Sequence, residues 1–156
     1  MKLELKNIKH TAWASEETHC YQASLYVDGK PVAIVSNDGH GGADRDYPHP
    51  KFKGDYRAQM RDVSRYFSGL RRTAVTEWSP EGMEQCLEFW CADQVNDWLS
   101  ARELKSKLRK EFLFQFADRV GVFAHKTRPS RAAGVAVVLN DLPFDEALSI
   151  WKETAL

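Results

Sequence analysis

A chain of 156 residues with 43% hydrophobic and 28% charged side chains has the make-up of a folded globular protein, which excludes the disordered, collagen-like and membrane classes. Its 22 Lys and Arg balance 22 Asp and Glu, so no overall field draws it to nucleic acid or to an anionic membrane, and any such binding must be local. The length suits one domain spanning residues 1–156. No apolar run approaches the roughly 20 residues that cross a bilayer. Residues 1–6 alternate charged and apolar side chains without the hydrophobic core of a signal peptide. Cys20, Cys86 and Cys91 are odd in number and form no CxxC pair, which argues against a disulfide framework and against a thiolate zinc site. The expected compartment is the cytoplasm.

In chain order, residues 2–9 read as a first strand, with Leu3, Leu5 and Asn7 on one face. Residues 20–27 and 30–36 flank Asp28-Gly29, the pair that best tolerates the positive φ angles of a two-residue hairpin turn. That register sets Leu25 opposite Val32 and Ala23 opposite Ile34, and it gathers Tyr21, Ala23, Leu25, Val32 and Ile34 on the face to be covered. Tyr56, Met60, Val63, Phe67 and Leu70 then form the seam of a first helix, closing near Gly69. A second helix is expected to open at Ser79-Pro80, with acidic residues early, and to carry the stripe Met83, Leu87, Trp90, Cys91, Val95 and Trp98. Ser100 and Glu103 fit a capping box, so the helix is expected to restart there and run through Leu104 and Leu108. Phe112, Phe114 and Phe116 alternate as a strand while Leu104, Leu108, Phe112 and Phe116 continue a helix, so residues 111–117 fit either, with the strand favoured; short strands at 120–124 and 135–139 follow, and Pro143 starts a last helix with Phe144, Leu148 and Trp151 on one face. The fold class is α+β: an N-terminal antiparallel meander packed against three to four helices, with short strands in the last third.

Residues 37–50 are the most unusual stretch, a long loop leaving a strand with Gly39, Gly41 and Gly42 inside four positions. Glycines so spaced let a backbone approach a ligand closely, although the pattern is neither a P-loop nor a dinucleotide fingerprint. Asp38, His40 and His49, with Asp44 and Asp46, offer nitrogen and oxygen donors without a recognised metal spacing. Lys53, Arg57, Arg61 and Arg65 recur every fourth residue, which stacks them on one face of the first helix, where Tyr47, Phe52 or Tyr66 adds a ring for stacking on a single strand. Arg71 and Arg72 extend this ladder. A separate basic run, Arg102, Lys105, Lys107, Arg109 and Lys110, holds five cations against Glu103. His125-Lys126-Thr127 is one copy of the HxT pattern that two-histidine phosphoesterases use in pairs, and no second copy exists.

The residues Leu5-Lys6-Asn7-Ile8-Lys9, Ser15-Glu16-Glu17-Thr18, Ser36-Asn37-Asp38-Gly39-His40-Gly41-Gly42 and Val138-Leu139-Asn140-Asp141-Leu142-Pro143 resemble small uncharacterised proteins of bacteriophages, prophages and plasmids. The resemblance implies a mobile-element setting and assigns no residue a role. The reading that follows is a non-enzymatic binding module for a host or phage protein, with nucleic acid as a partner through the local basic helix face. Its site is Asp38, Gly39, His40, Gly41, Gly42, Tyr47, Lys53, Arg57, Arg61 and Arg65, with no metal and no cofactor assigned. The rival is a small metal-dependent hydrolase or phosphoesterase centred on Asp38, His40 and His49.

Overall fold

The structure, a computed structural model, describes residues 1–73, 79–130 and 134–154. The class is α+β. The chain forms two compact units, Met1–Val95 and Asn96–Leu156.

The first unit is built on a four-stranded antiparallel meander, β1 (Leu3–His10), β2 (Tyr21–Val27), β3 (Lys30–Asn37) and β4 (Arg45–Pro48), paired in that order. Asp28 and Gly29 turn the chain between β2 and β3 with φ of 48° and 80°, as a two-residue hairpin requires. The register differs from the expected one by a residue. Tyr26 pairs with Pro31, but Leu25 pairs with Ala33 and Ala23 with Val35, so Val32 is the extra residue of a bulge. Proline within a sheet is tolerated at edges and bulges, and the bulge falls next to Pro31. Because strand faces alternate, the slip moves Ile34 to the opposite face and brings Ala33, Val35 and Asn37 to the side of Tyr21, Ala23 and Leu25. A second irregularity lies between Lys6 and Lys9 of β1, where Asn7 takes φ of 55° and is exposed; Asn7 is therefore not on the core face. Residues 45–48 are not loop at all: they form β4, which makes the turn after β3 half as long as its composition suggests.

Helix α1 (Tyr56–Ser68) starts where the Asp55 carboxylate accepts the Ala58 N–H at 2.9 Å, and it buries Val63 and Phe67. The Tyr56 hydroxyl bonds Asp46 of β4, whose side chain shares the face of Val35, so α1 lies on the Tyr21 side of the sheet. Helix α2 (Leu87–Leu108) begins eight residues after Ser79. Gly82 has φ of +69°, and Thr73 exchanges bonds with Met83 at 2.7 and 2.9 Å, so the chain here makes a bridged turn and Met83 stands outside the helix. Ser100 starts no new helix, because α2 is continuous through it. Its first half buries Cys91 and Val95 in the first unit, and Trp90 meets Phe67 at 6.4 Å between ring centroids.

In the second unit the latter half of α2 and α3 (Phe144–Thr154) accompany a three-stranded antiparallel sheet, β6 (Phe123–His125), β5 (Phe112–Phe116) and β7 (Val135–Val138), in that order. Leu104, Leu113, Leu139 and Ala147 are its buried centre. Strand alternation resolves the phenylalanine pattern: Leu113 enters that centre, while Phe114 and Phe116 turn to the other face and meet Phe123 at 6.3 and 5.1 Å. Asn140 fixes the join, donating to Leu108 O and Glu111 O at 3.1 and 3.0 Å and accepting the Leu113 N–H at 2.8 Å. No helix among the described residues is long and apolar enough to cross a membrane.

Candidate functional site

The turn after β3 is organised from one buried side chain. Asn37 closes the β2–β3 ladder opposite Tyr21 and is 8% exposed, so its amide must find partners within the protein. It finds four. The oxygen accepts the Thr18 hydroxyl at 2.7 Å and the Gly39 N–H at 2.9 Å, while the nitrogen donates to Gly42 O at 2.8 Å and Asp44 Oδ1 at 2.9 Å. Two acceptor positions and two donors are the whole capacity of an asparagine side chain.

Gly39 ties this turn to the segment entering β2. Its carbonyl accepts the N–H groups of Glu16, Glu17 and Thr18 at 3.0, 2.9 and 3.3 Å. With φ of +91°, a Cβ at this position would stand 1.9 Å from Ala14 O, so only glycine permits the approach. Gly41, at φ of +79°, faces the Glu17 carboxylate, while nothing crowds Gly42. The glycines therefore let two backbones interlock, and Gly39 presents its oxygen, not its N–H, to the crossing segment. This is not an anion-binding nest.

Beneath the turn, the Tyr21 hydroxyl donates to Asp44. Burial, the nearby Cys91 and the Asp44 carboxylate hold Tyr21 far above the ordinary phenol range. Burial also pushes the Cys91 thiol up to about 12, with the Asp44 charge adding to it. Both groups are neutral at physiological pH, which suits a core contact and leaves neither as a nucleophile.

The side chains facing water are engaged separately. His40 Nδ1 lies 3.2 Å from Glu16 Oε2, Asp38 accepts from Arg45 at 3.0 Å, and His49 Nδ1 accepts the Lys51 N–H at 3.1 Å. No group of three or more His, Cys, Asp or Glu side chains placed to hold a metal ion occurs among the described residues. In the second unit His125 Nδ1 is 2.8 Å from its own Thr127 Oγ1, a closed local turn.

Tyr47 and the ladder do not share a face. Asp46 and α1 lie on the Tyr21 side of the sheet, but Tyr47 pairs with Ile34 and stands on the opposite face, its hydroxyl 3.2 Å from Ser36 Oγ. Arg57 and Arg61 line a hollow of about 460 Å³ with Asp46, Tyr56, Met60 and Ser64. Arg65 pairs with Asp62 at 2.9 Å, and Lys53 precedes the helix. Arg72, expected to prolong the ladder, instead donates to Gly82 O at 2.7 Å and Glu81 O at 3.0 Å.

The residue that sequence reasoning passed over is Trp13. It sits in a 3₁₀ turn, Ala12–Ala14, whose last carbonyl faces Gly39, and its side chain is 88% exposed. The available signal was a tryptophan in a short polar connection, outside any helical or strand period. His10, 5.3 Å from the His19 ring, and Ser15 flank the same turn.

Searches of models of known protein families, of curated proteins and of solved structures find no match to this chain.

Proposed function

We propose that the chain is a non-enzymatic binding module whose contact face is the interlocked pair of segments 11–20 and 37–44, with Trp13 as its anchor and a protein as its partner. One observation carries this reading: a tryptophan 88% exposed on a hydrogen-bonded turn, Thr11 to Ser15, whose next three residues are bound by the Gly39 carbonyl. Leaving an indole in water costs hydrophobic free energy that folding could have recovered, and tryptophan is the residue type most enriched at the centres of protein interfaces. The ordered turn lowers the entropy cost of docking. Around Trp13 the face carries Glu16, Glu17, Asp38 and Asp44 against His40 and Arg45, a mixture that would repel a polyanion and suits a protein surface of mixed charge. Asp38, Gly39, His40, Gly41 and Gly42 belong to this face. The resemblance to proteins of bacteriophages, prophages and plasmids points to a host protein as the partner.

The test is affinity capture from a bacterial lysate with the full chain and with Trp13→Ala, both first shown to have the same melting curve. The proposal expects at least one identified protein retained by the wild type and lost with Trp13→Ala, then reproduced with the purified pair. Identical retained sets for the two proteins, or sedimentation showing that the wild type self-associates through Trp13, would overturn it.

A further inference from the structure

The basic run of the second unit makes a groove that the first site does not use. Trp98, Arg102 and Lys105 follow at intervals of four and three residues, one stripe along α2, and with Arg109 and Lys110, which come directly after the helix, and Phe144 of α3 they line a groove of about 570 Å³. At about 1.5 Å of rise per residue the stripe from Trp98 to Lys105 runs about 10 Å along the helix axis. No ion-pair partner is found for Arg102, Lys105, Arg109 or Lys110 among the described residues, whereas Lys107 pairs with Glu103 at 3.8 Å and Lys152 with Asp97. Glu103 and Asp97 are thus matched to cations outside the groove, and Glu111, Asp145 and Glu146, though next to Lys110 and Phe144 in the chain, do not line it.

Two kinds of chemistry meet here. Four unpaired cations spread over about two helical turns suit a chain of phosphates better than a single phosphate group. The Arg102 guanidinium lies over the Trp98 ring, 5.3 Å from its centroid, and the Phe144 ring is 40% exposed, so planar groups stand beside the cations. Cations that track a backbone, set among flat groups on which bases stack, are what a single strand requires. A net charge of zero means that this is local placement and not a general field. Part of the charge also complements the negative C-terminal end of α2, but that effect is confined to the last turn and Arg102 lies outside it.

We infer that the groove between the end of α2, from Trp98 to the two cations just beyond it, and Phe144 binds single-stranded nucleic acid, with Arg102, Lys105, Arg109 and Lys110 on phosphates and Phe144 and the Arg102 guanidinium stacking on bases. This surface is independent of the Trp13 face.

Fluorescence anisotropy of a labelled thymidylate strand of about 12 nucleotides, titrated with the full chain from about 50 to 300 mM salt, tests it. Three to four phosphate contacts predict a log–log salt slope of about −2 to −3, reduced in magnitude by about 0.7 in Lys105→Ala. The double variant Arg102→Ala/Arg109→Ala should bind at least tenfold more weakly, and Phe144→Ala about tenfold more weakly with the slope unchanged. Trp13→Ala should bind as the wild type does, which separates this result from the protein-docking proposal. Far-UV circular dichroism checks the fold, and Lys105→Glu, an exposed substitution, serves if the double variant is unfolded. The inference is overturned if no binding is seen at about 50 mM salt. It is equally overturned if the double variant or Lys105→Glu binds normally, if a duplex binds as tightly with Phe144→Ala silent, or if pyrophosphate displaces the strand at equal concentration.

Discussion

A graded series of glycine substitutions in the first unit separates backbone strain from steric collision. Gly42 has ordinary φ and open space, Gly29 has φ of +80° and open space, and Gly39 has φ of +91° with Ala14 O 1.9 Å from where a Cβ would be. Alanine at 42 therefore adds only rigidity to the unfolded chain and should be neutral or stabilising by up to about 1 kcal/mol. At 29 it adds the cost of left-handed backbone, about 1–2 kcal/mol. At 39 the same strain is joined by a collision with main chain, and the 12–18 segment must retreat by about an ångström to reach 3.0 Å, the lower limit of real Cβ contacts. That retreat loosens the three N–H groups bound to the Gly39 carbonyl, each worth about 1 kcal/mol, so with the strain the total is about 4–5 kcal/mol. Urea unfolding followed by circular dichroism reads all three variants against the wild type. A Gly39→Ala cost no larger than that of Gly29→Ala would refute the account of why the two segments interlock.

Two further perturbations address the core. The Cys91 thiol is raised from an ordinary 9.0 to about 12, so the folded state stays protonated where the unfolded chain has ionised. Stability from this group is full below pH 9 and declines as pH rises towards 12; between pH 8 and 10 the wild type should lose about 1.4 kcal/mol that Cys91→Ala does not lose, measured by urea unfolding at both values. Equal losses in the two proteins would mean that Cys91 is not neutral and buried as described. Leu104 is fully buried in the second unit, and Leu104→Ala should cost about 2–5 kcal/mol in the same assay, together with faster amide exchange in β5. A cost under about 1 kcal/mol would place Leu104 outside a packed centre.

How much of this was legible depends on whether the signal was local. Asp28-Gly29 announces its turn through residues that accept positive φ, whereas Phe112 and Phe116 fit both the alternation of a strand and the period of a helix continued from Leu104 and Leu108, and only the pairing with β6 and β7 decides for β5. The bulge at Val32 arises between strands, and no feature of either strand alone reveals that Leu25 faces Ala33. Strand β4 was hidden because all four of its residues are exposed, so it lacks the apolar alternation by which strands are recognised. Ser79-Pro80 carries every local mark of a helix start, yet Arg72 and Thr73 hold residues 81–83 in a bridged turn, a contact across ten residues that overrides the cap. The candidate site divides in the same way. The glycine spacing was visible, but what the glycines approach is the 14–18 segment, and Trp13 becomes conspicuous only once its exposure is known.

Asn37 links the stability of the turn to the proposed contact face, and it supplies the sharpest separation of the two. Truncation to alanine strips partners from the Thr18 hydroxyl, the Gly39 N–H, the Gly42 carbonyl and Asp44 at once. Water can reach the exposed side of the turn and replace some of these bonds, so the expected loss is about 2 kcal/mol and not the sum of four. With the Gly39 carbonyl less firmly held, the turn bearing Trp13 samples more conformations and must be ordered again on docking. Asn37→Ala should thus weaken both folding and partner affinity, while Trp13→Ala, which removes a side chain 88% exposed, should weaken affinity alone. Melting curves and binding isotherms on the same two variants decide the matter. If Asn37→Ala loses stability but binds like the wild type, the buried amide holds the fold together and the ordering of the turn contributes nothing to recognition.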